Sequence, residues 1–151
     1  MRVLESQKVS YEVVEFSADI HSADGVAEAV GAPAEQVYKT LVVQRSSGKP
    51  VLAMLAAGRS LDLKRLAAAA GEKKLSMASH KDAERLTGLQ VGGISALALM
   101  HKHWDVYLDE RALSHEHIYI SAGKRGVNLR LPVGDLIRVV GAATADVSRD
   151  A

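Results

Sequence analysis

Apolar positions along the chain keep two different rhythms, and the order in which they change predicts a mixture of strands and helices. Tyr11 to Phe16 reads as a strand, although its alternation is imperfect. Ser22 or Asp24 is placed to cap a short helix through Val30, with Gly31 to end it. Val37 to Gln44 and Val51 to Ala57 are apolar runs on either side of Arg45–Pro50, the pattern of a hairpin. Leu61, Leu63, Leu66 and the following alanines predict a helix closed by Gly71, and Lys73 to Ala78 a short strand. Ser79-His80-Lys81-Asp82 has the form of a capping box opening a helix that Gly88 ends. Beyond a glycine-bearing loop near residue 92, Trp104 to Leu108 and His117 to Ser121 read as strands. The tight turn Gly123–Gly126 leads into a strand over Val127 to Leu131. Pro132 fits the first turn of a helix through Val140, stopped by Gly141, and Ala145 to Ser148 reads as a last strand. The strands outnumber what a bundle needs and lack regular βαβ spacing. The expectation is one α/β (α+β) domain over residues 1–151, a mixed, partly closed sheet surrounded by helices.

Composition narrows the function classes. A chain of 151 residues with 48% hydrophobic and 25% charged content is an ordinary globular domain. The absence of cysteine removes disulfides, thiolate nucleophiles and Cys-ligated zinc. No apolar run approaches the roughly 18 residues of a membrane span, so a cytoplasmic location away from membranes is expected. A formal net charge of +1 argues against broad coating of nucleic acid, and 4% aromatic residues against a base-stacking platform. Both leave room for gripping one or two phosphates locally.

Several familiar chemistries do not fit. Gly93-Ile94-Ser95-Ala96-Leu97 begins like a nucleophile elbow but lacks the closing glycine, so Ser95 is read as a loop serine. The pairs His101/His103 and His115/His117 would share a face if they lay on strands, yet no third ligand has a recognisable spacing. These histidines are therefore read as exposed loop residues. Lys124-Arg125 lies between glycines, and such a turn serves either as an anion-binding concavity or as a plain hairpin.

Two features resist an ordinary structural reading. Lys39 interrupts the apolar run Val37–Val43, where an ammonium costs desolvation unless it reaches a pocket or partner. Val91-Gly92-Gly93-Ile94-Ser95-Ala96 joins adjacent glycines to small residues, so backbone amides can approach a ligand as an oxyanion hole requires. Together they point to an anion or a polarised carbonyl.

At these residues the sequence resembles the YbaK/ProX aminoacyl-tRNA deacylases, relatives of the editing domain inserted in bacterial prolyl-tRNA synthetases. The matching segments are Gln36–Leu41, Leu61–Lys64, Thr87-Gly88 with Val91–Ser95, Gly123–Gly126 and Gly134–Leu136, in the family's order. The resemblance implies a partly open barrel-like sheet with helices around it. It also implies hydrolysis of the ester joining a small amino acid such as alanine, serine or cysteine to tRNA, with tRNA-Pro the first expectation. The partners implied are the acceptor end of mischarged tRNA and a synthetase such as prolyl-tRNA synthetase. Lys39 matches the family's functional lysine, and Gly92 the first glycine of its Gly-x-x-x-Pro loop. Gly92, Gly93 and Ile94 are the implied backbone donors, and the resemblance implies neither a metal nor an organic cofactor. Phe16, Ser95, Ala96, Lys124, Arg125, Gly126 and Asn128 are the implied substrate-binding positions. Three of these depart from the family: Ala96 replaces the loop proline, and Phe16 and Asn128 stand where the cysteinyl-tRNA branch has tyrosine and aspartate. The alternative reading they sustain is a non-catalytic module that binds tRNA ends or a synthetase.

Overall fold

Strand β3 (Val51–Ala56) is buried at every position, and the architecture grows outward from it. Its unbroken apolar run is what a strand covered on both faces requires. In the computed structural model, which describes residues 2–20 and 22–151, β3 is the centre of a five-stranded sheet ordered β5-β2-β3-β6-β9. The strands β2 (Tyr38–Arg45) and β5 (Leu75–Met77) join it antiparallel, and β6 (Asp105–Asp109) and β9 (Ala143–Ala145) parallel. A second, antiparallel sheet is ordered β1-β8-β7, from β1 (Glu12–Glu15), β7 (His117–Ser121) and β8 (Val127–Pro132). A bridge from Val37 to Tyr119 links the two sheets, giving the partly open, curled shape expected, and no closed barrel forms.

One face of β2 and β3 sends Val42, Leu52 and Met54 into a core shared with Ile118, Ile120, Leu129 and Leu131 of the second sheet. The loop residues Ile94, Ala96, Leu97 and Leu99 fill the same core. The opposite face packs Val43, Val51, Ala53 and Leu55 against Leu66 and Ala67. These last two belong to helix α3 (Leu63–Ala70), capped by Asp62. Among the described residues five helices surround the sheets: α1 (Arg2–Ser6), α2 (Ala23–Val30), α3, α4 (His80–Thr87) and α5 (Val133–Val140). Ser22 rather than Asp24 caps α2, accepting from Gly25 N at 3.1 Å, and Ser79 caps α4 through Asp82 N at 3.1 Å.

Three readings need correction. Pro132 is the residue before α5, not part of its first turn. The last strand expected over Ala145 to Ser148 is two, β9 and β10 (Ser148–Asp150), separated by Asp146 and buried Val147. Strand β4 (Arg59–Leu61) was not foreseen; it pairs antiparallel with β10.

Candidate active site

The strand β2 is covered along its outer edge by β5 only from Val43 onward. The uncovered stretch from Tyr38 to Val42 forms one wall of a cavity of about 200 Å³. Its other walls come from Val26 of α2, from Met77, Ala78 and His80, from Val91, Gly92 and Ile94 of the glycine loop, and from Ser121 and Asn128. The volume lies below the roughly 300–1,000 Å³ of drug-sized sites, which suits a small ligand group.

Lys39 is half-buried on this wall, and its ammonium is held at two points. Nζ donates to the carbonyls of Arg59 at 2.7 Å and Ala57 at 3.1 Å. Three donors sit on an ammonium, so one remains for a ligand. Burial holds the Lys39 pKa below the ordinary lysine range, and the Asp24 carboxylate offsets part of that.

The glycine loop divides the labour of its amides differently from the sequence reading. Gly93 N donates to Gln90 O at 2.8 Å, so that amide is spent inside a turn. The amides of Gly92 and Ile94 take no partner among the described residues, and both residues line the cavity. Gly93 is needed for another reason. A Cβ there would lie 2.8 Å from both Arg125 N and Lys124 C, backbone against backbone. Gly126 repeats the device on the far side of the turn. Its carbonyl accepts from Phe16 N at 2.9 Å, its φ is +85°, and a Cβ would meet Phe16 O at 2.9 Å. The segments at Phe16, Gly93 and Gly123–Gly126 are thus stacked without side chains between them. Arg125 ties the stack by donating from Nε to Val91 O at 2.7 Å.

Of the sequence-predicted residues, Lys39, Gly92, Ile94 and Asn128 meet on the cavity wall. Asn128 is buried, and its carboxamide has no hydrogen-bond partner among the described residues, which leaves a donor and an acceptor for whatever enters. Ser95 and Ala96 are not on the wall. Ser95 is buried and accepts from Ala98 N at 3.4 Å, and Ala96 sits in the core, so neither is placed to touch a ligand there. Phe16 packs with Val26 and Val37 under the site, and Lys124 is exposed on the turn. His101 lies on a 3-10 turn and His103 just after it, while His115 precedes β7, so neither pair occupies one strand. No cluster of three potential metal ligands occurs among the described residues. Sequence reasoning missed Thr40, Ser121 and His80, which also line the cavity. Thr40 was legible as the neighbour of Lys39; the other two carried no signal.

Residues 17–139 match the family model of the aminoacyl-tRNA editing domain. An Enterococcus faecalis protein named "Putative Cys-tRNA(Pro)/Cys-tRNA(Cys) deacylase EbsC" is 38% identical over 150 residues, covering 98% of this chain and 91% of that protein. A crystal structure described as "a putative trans-editing enzyme for prolyl tRNA synthetase" superposes with a TM-score of 0.84 at 27% identity, covering 98% of this chain and 93% of that one. The fold alone is shared with a hypothetical protein of solved structure, at a TM-score of 0.90 and 22% identity over 98% and 97% of the two chains. No helix among the described residues is long and apolar enough to cross a membrane.

Proposed function

Since the chain belongs to the aminoacyl-tRNA editing domain family and is a hydrolytic aminoacyl-tRNA deacylase, we propose that it removes a small amino acid, such as alanine, serine or cysteine, from the acceptor end of mischarged tRNA-Pro, acting in trans to prolyl-tRNA synthetase. The observation that carries this reading is the meeting, on a cavity of about 200 Å³, of Lys39 with Gly92 and Ile94, two residues whose amides have no partner among the described residues.

In the proposed reaction a water molecule adds to the ester carbonyl, giving a tetrahedral oxyanion. The amides of Gly92 and Ile94 donate to that oxygen, where a single preorganised donor is worth about 2.7–4 kcal/mol. The remaining N–H of Lys39 holds the ester carbonyl or the phosphate of the terminal adenosine. Collapse breaks the bond to the ribose oxygen, which takes a proton from solvent, releasing the free amino acid and an uncharged tRNA. Thr40, Ser121 and Asn128 pair with polar groups of the aminoacyl moiety, and Lys124 with the remaining N–H groups of Arg125 meets phosphates outside. Asn128 offers hydrogen bonds without charge, where a carboxylate would favour a cation.

A small apolar pocket separates neighbouring amino acids by only about 1–3 kcal/mol, which is why selection by a synthetase gains from a second, hydrolytic sieve. A deacylation time course over Ala-, Ser- and Cys-tRNA-Pro, with Leu- and Phe-charged tRNAs beside them, tests the reading. The small residues are expected to be released at least about tenfold faster than the bulky ones. Binding of tRNA or synthetase by folded protein without turnover would sink it in favour of a non-catalytic module.

Lys39 also sets a pH dependence. It serves as a charged donor, so enzymatic release, corrected for spontaneous hydrolysis, falls as pH rises through its lowered pKa. Stability runs the other way. Between the lowered folded value and the ordinary lysine value of about 10.4 the unfolded chain binds more protons, so the fold gains stability as pH rises. A pH–rate profile with an alkaline limb at the ordinary lysine value would contradict the assignment.

A further inference from the structure

The two carbonyls that hold Lys39 belong to the residues on either side of Gly58, in the link between β3 and β4, and they are supported differently. Ala57 is fixed by the central sheet, its N–H donating to Val37 O at 2.8 Å. Arg59 opens β4, a strand that pairs only with β10 among the described residues, in the register Ser148↔Leu61, Arg149↔Ser60 and Asp150↔Arg59.

At the start of β10 lies a fully buried polar pair, Ser148 and Asp109, that the proposed chemistry does not use. Ser148 Oγ donates to Asp109 Oδ2 at 2.6 Å and accepts from Arg59 Nε at 2.7 Å. Asp109 also accepts from Arg111 Nη1 at 3.1 Å and from Val147 N at 3.4 Å. Arg59 is held again through Nη1 to Asp150 at 2.8 Å. A continuous path of hydrogen bonds and covalent chain therefore runs from Asp109 through Ser148 and the Arg59 side chain to the Arg59 carbonyl, and from it to Lys39 Nζ.

We propose that Asp109 and Ser148 are positioning residues for Lys39, acting through Arg59. The pair fixes the guanidinium, the guanidinium and β10 fix β4, and β4 presents the shorter of the two contacts to the ammonium. An apolar pair of the same size would fill the space between β6 and β10 equally well. A donor–acceptor pair in addition directs Arg59 Nε, which an apolar pair does not. A buried network with its hydrogen bonds made is rigid, and rigidity is what a single directed N–H requires.

The proposal rests on Lys39 meeting the substrate, and the experiment separates the two ideas. Single-turnover deacylation is measured at saturating enzyme for wild type, Lys39→Ala, Ser148→Ala, Arg59→Met and the Lys39→Ala/Ser148→Ala double variant. The folded fraction is checked by thermal melting. Ser148→Ala and Arg59→Met are each expected to lower the saturating rate by about tenfold to a hundredfold, with half-saturation within roughly twofold of wild type. In the Lys39→Ala background Ser148→Ala should cost nothing further, because its effect passes through the lysine. A melting temperature lowered while the folded protein keeps its full rate marks a purely structural pair and overturns the proposal. So does an equal loss from Ser148→Ala with and without Lys39. An active Lys39→Ala protein removes the reading of the lysine itself, and the positioning role falls with it.

Discussion

Lys39→Ala is expected to lower the rate of deacylation about a hundredfold to a thousandfold while leaving the folded state within about 1 kcal/mol of wild type. The rate follows from position. Lys39 lines the cavity and its Nζ is held at 2.7 and 3.1 Å from the Arg59 and Ala57 carbonyls, so its third donor is aimed before substrate arrives. A preorganised charged donor of this kind acts on developing negative charge without reorganising. The small stability change follows from opposing terms. Truncation takes a charge out of a half-buried position, which favours the fold, and it also removes two hydrogen bonds. A water molecule entering the space that the side chain leaves can replace the ammonium as donor to the Ala57 and Arg59 carbonyls. Lys39→Arg separates charge from direction. The planar guanidinium keeps the charge but not the three-way geometry, so activity should stay close to the alanine level. Denaturant unfolding beside single-turnover rates checks both halves, and an arginine variant with wild-type activity would show that charge alone suffices.

The second large effect is expected at Gly93, a residue that offers no group to the substrate. Gly93→Ala puts a Cβ 2.8 Å from Arg125 N and Lys124 C, where about 3.5 Å or more is needed, and both obstacles are backbone. Either the loop or the turn must move by more than half an ångström, carrying the Gly92 and Ile94 amides or the Arg125 tie with it. A displacement of about 1 Å in a positioned group costs about a hundredfold in rate, and that is the loss expected here. Gly134→Ala is the control. A Cβ there meets nothing within 4 Å, its φ is not positive, and the site is helical. It should keep full activity and gain up to about 1 kcal/mol in stability. Equal behaviour of the two variants would refute the close-packing role of Gly93.

These cases also mark where the sequence was readable. The uninterrupted run Val51–Ala56, the serine caps of α2 and α4 and the lysine inside an apolar strand each break or fulfil a local rule, so they were visible without coordinates. Strands β4 and β10 break no rule and fulfil none. Arg59-Ser60-Leu61 and Ser148-Arg149-Asp150 are short and largely polar, and they are strands because each lies beside the other, 89 residues apart at the Arg59–Ser148 hydrogen bond. The site divides in the same way. That the glycine loop supplies free amides was legible from composition. Which amides are free was not, because the turn that consumes Gly93 N depends on where Gln90 O points. Ser95 and Ala96 looked like ligand residues because they continue the loop, yet the chain turns them into the core.

The pairing of β10 with β4 has a consequence in time. A chain emerging from the ribosome exposes Lys39, the glycine loop and Asn128 well before Ser148–Asp150 has left the exit tunnel, and contacts of such separation form late. Until then the Arg59 carbonyl has no strand to hold it, and the lysine lacks its shorter anchor. Under the proposed positioning role, the surroundings of Lys39 are therefore among the last parts of this domain to become ordered as it folds.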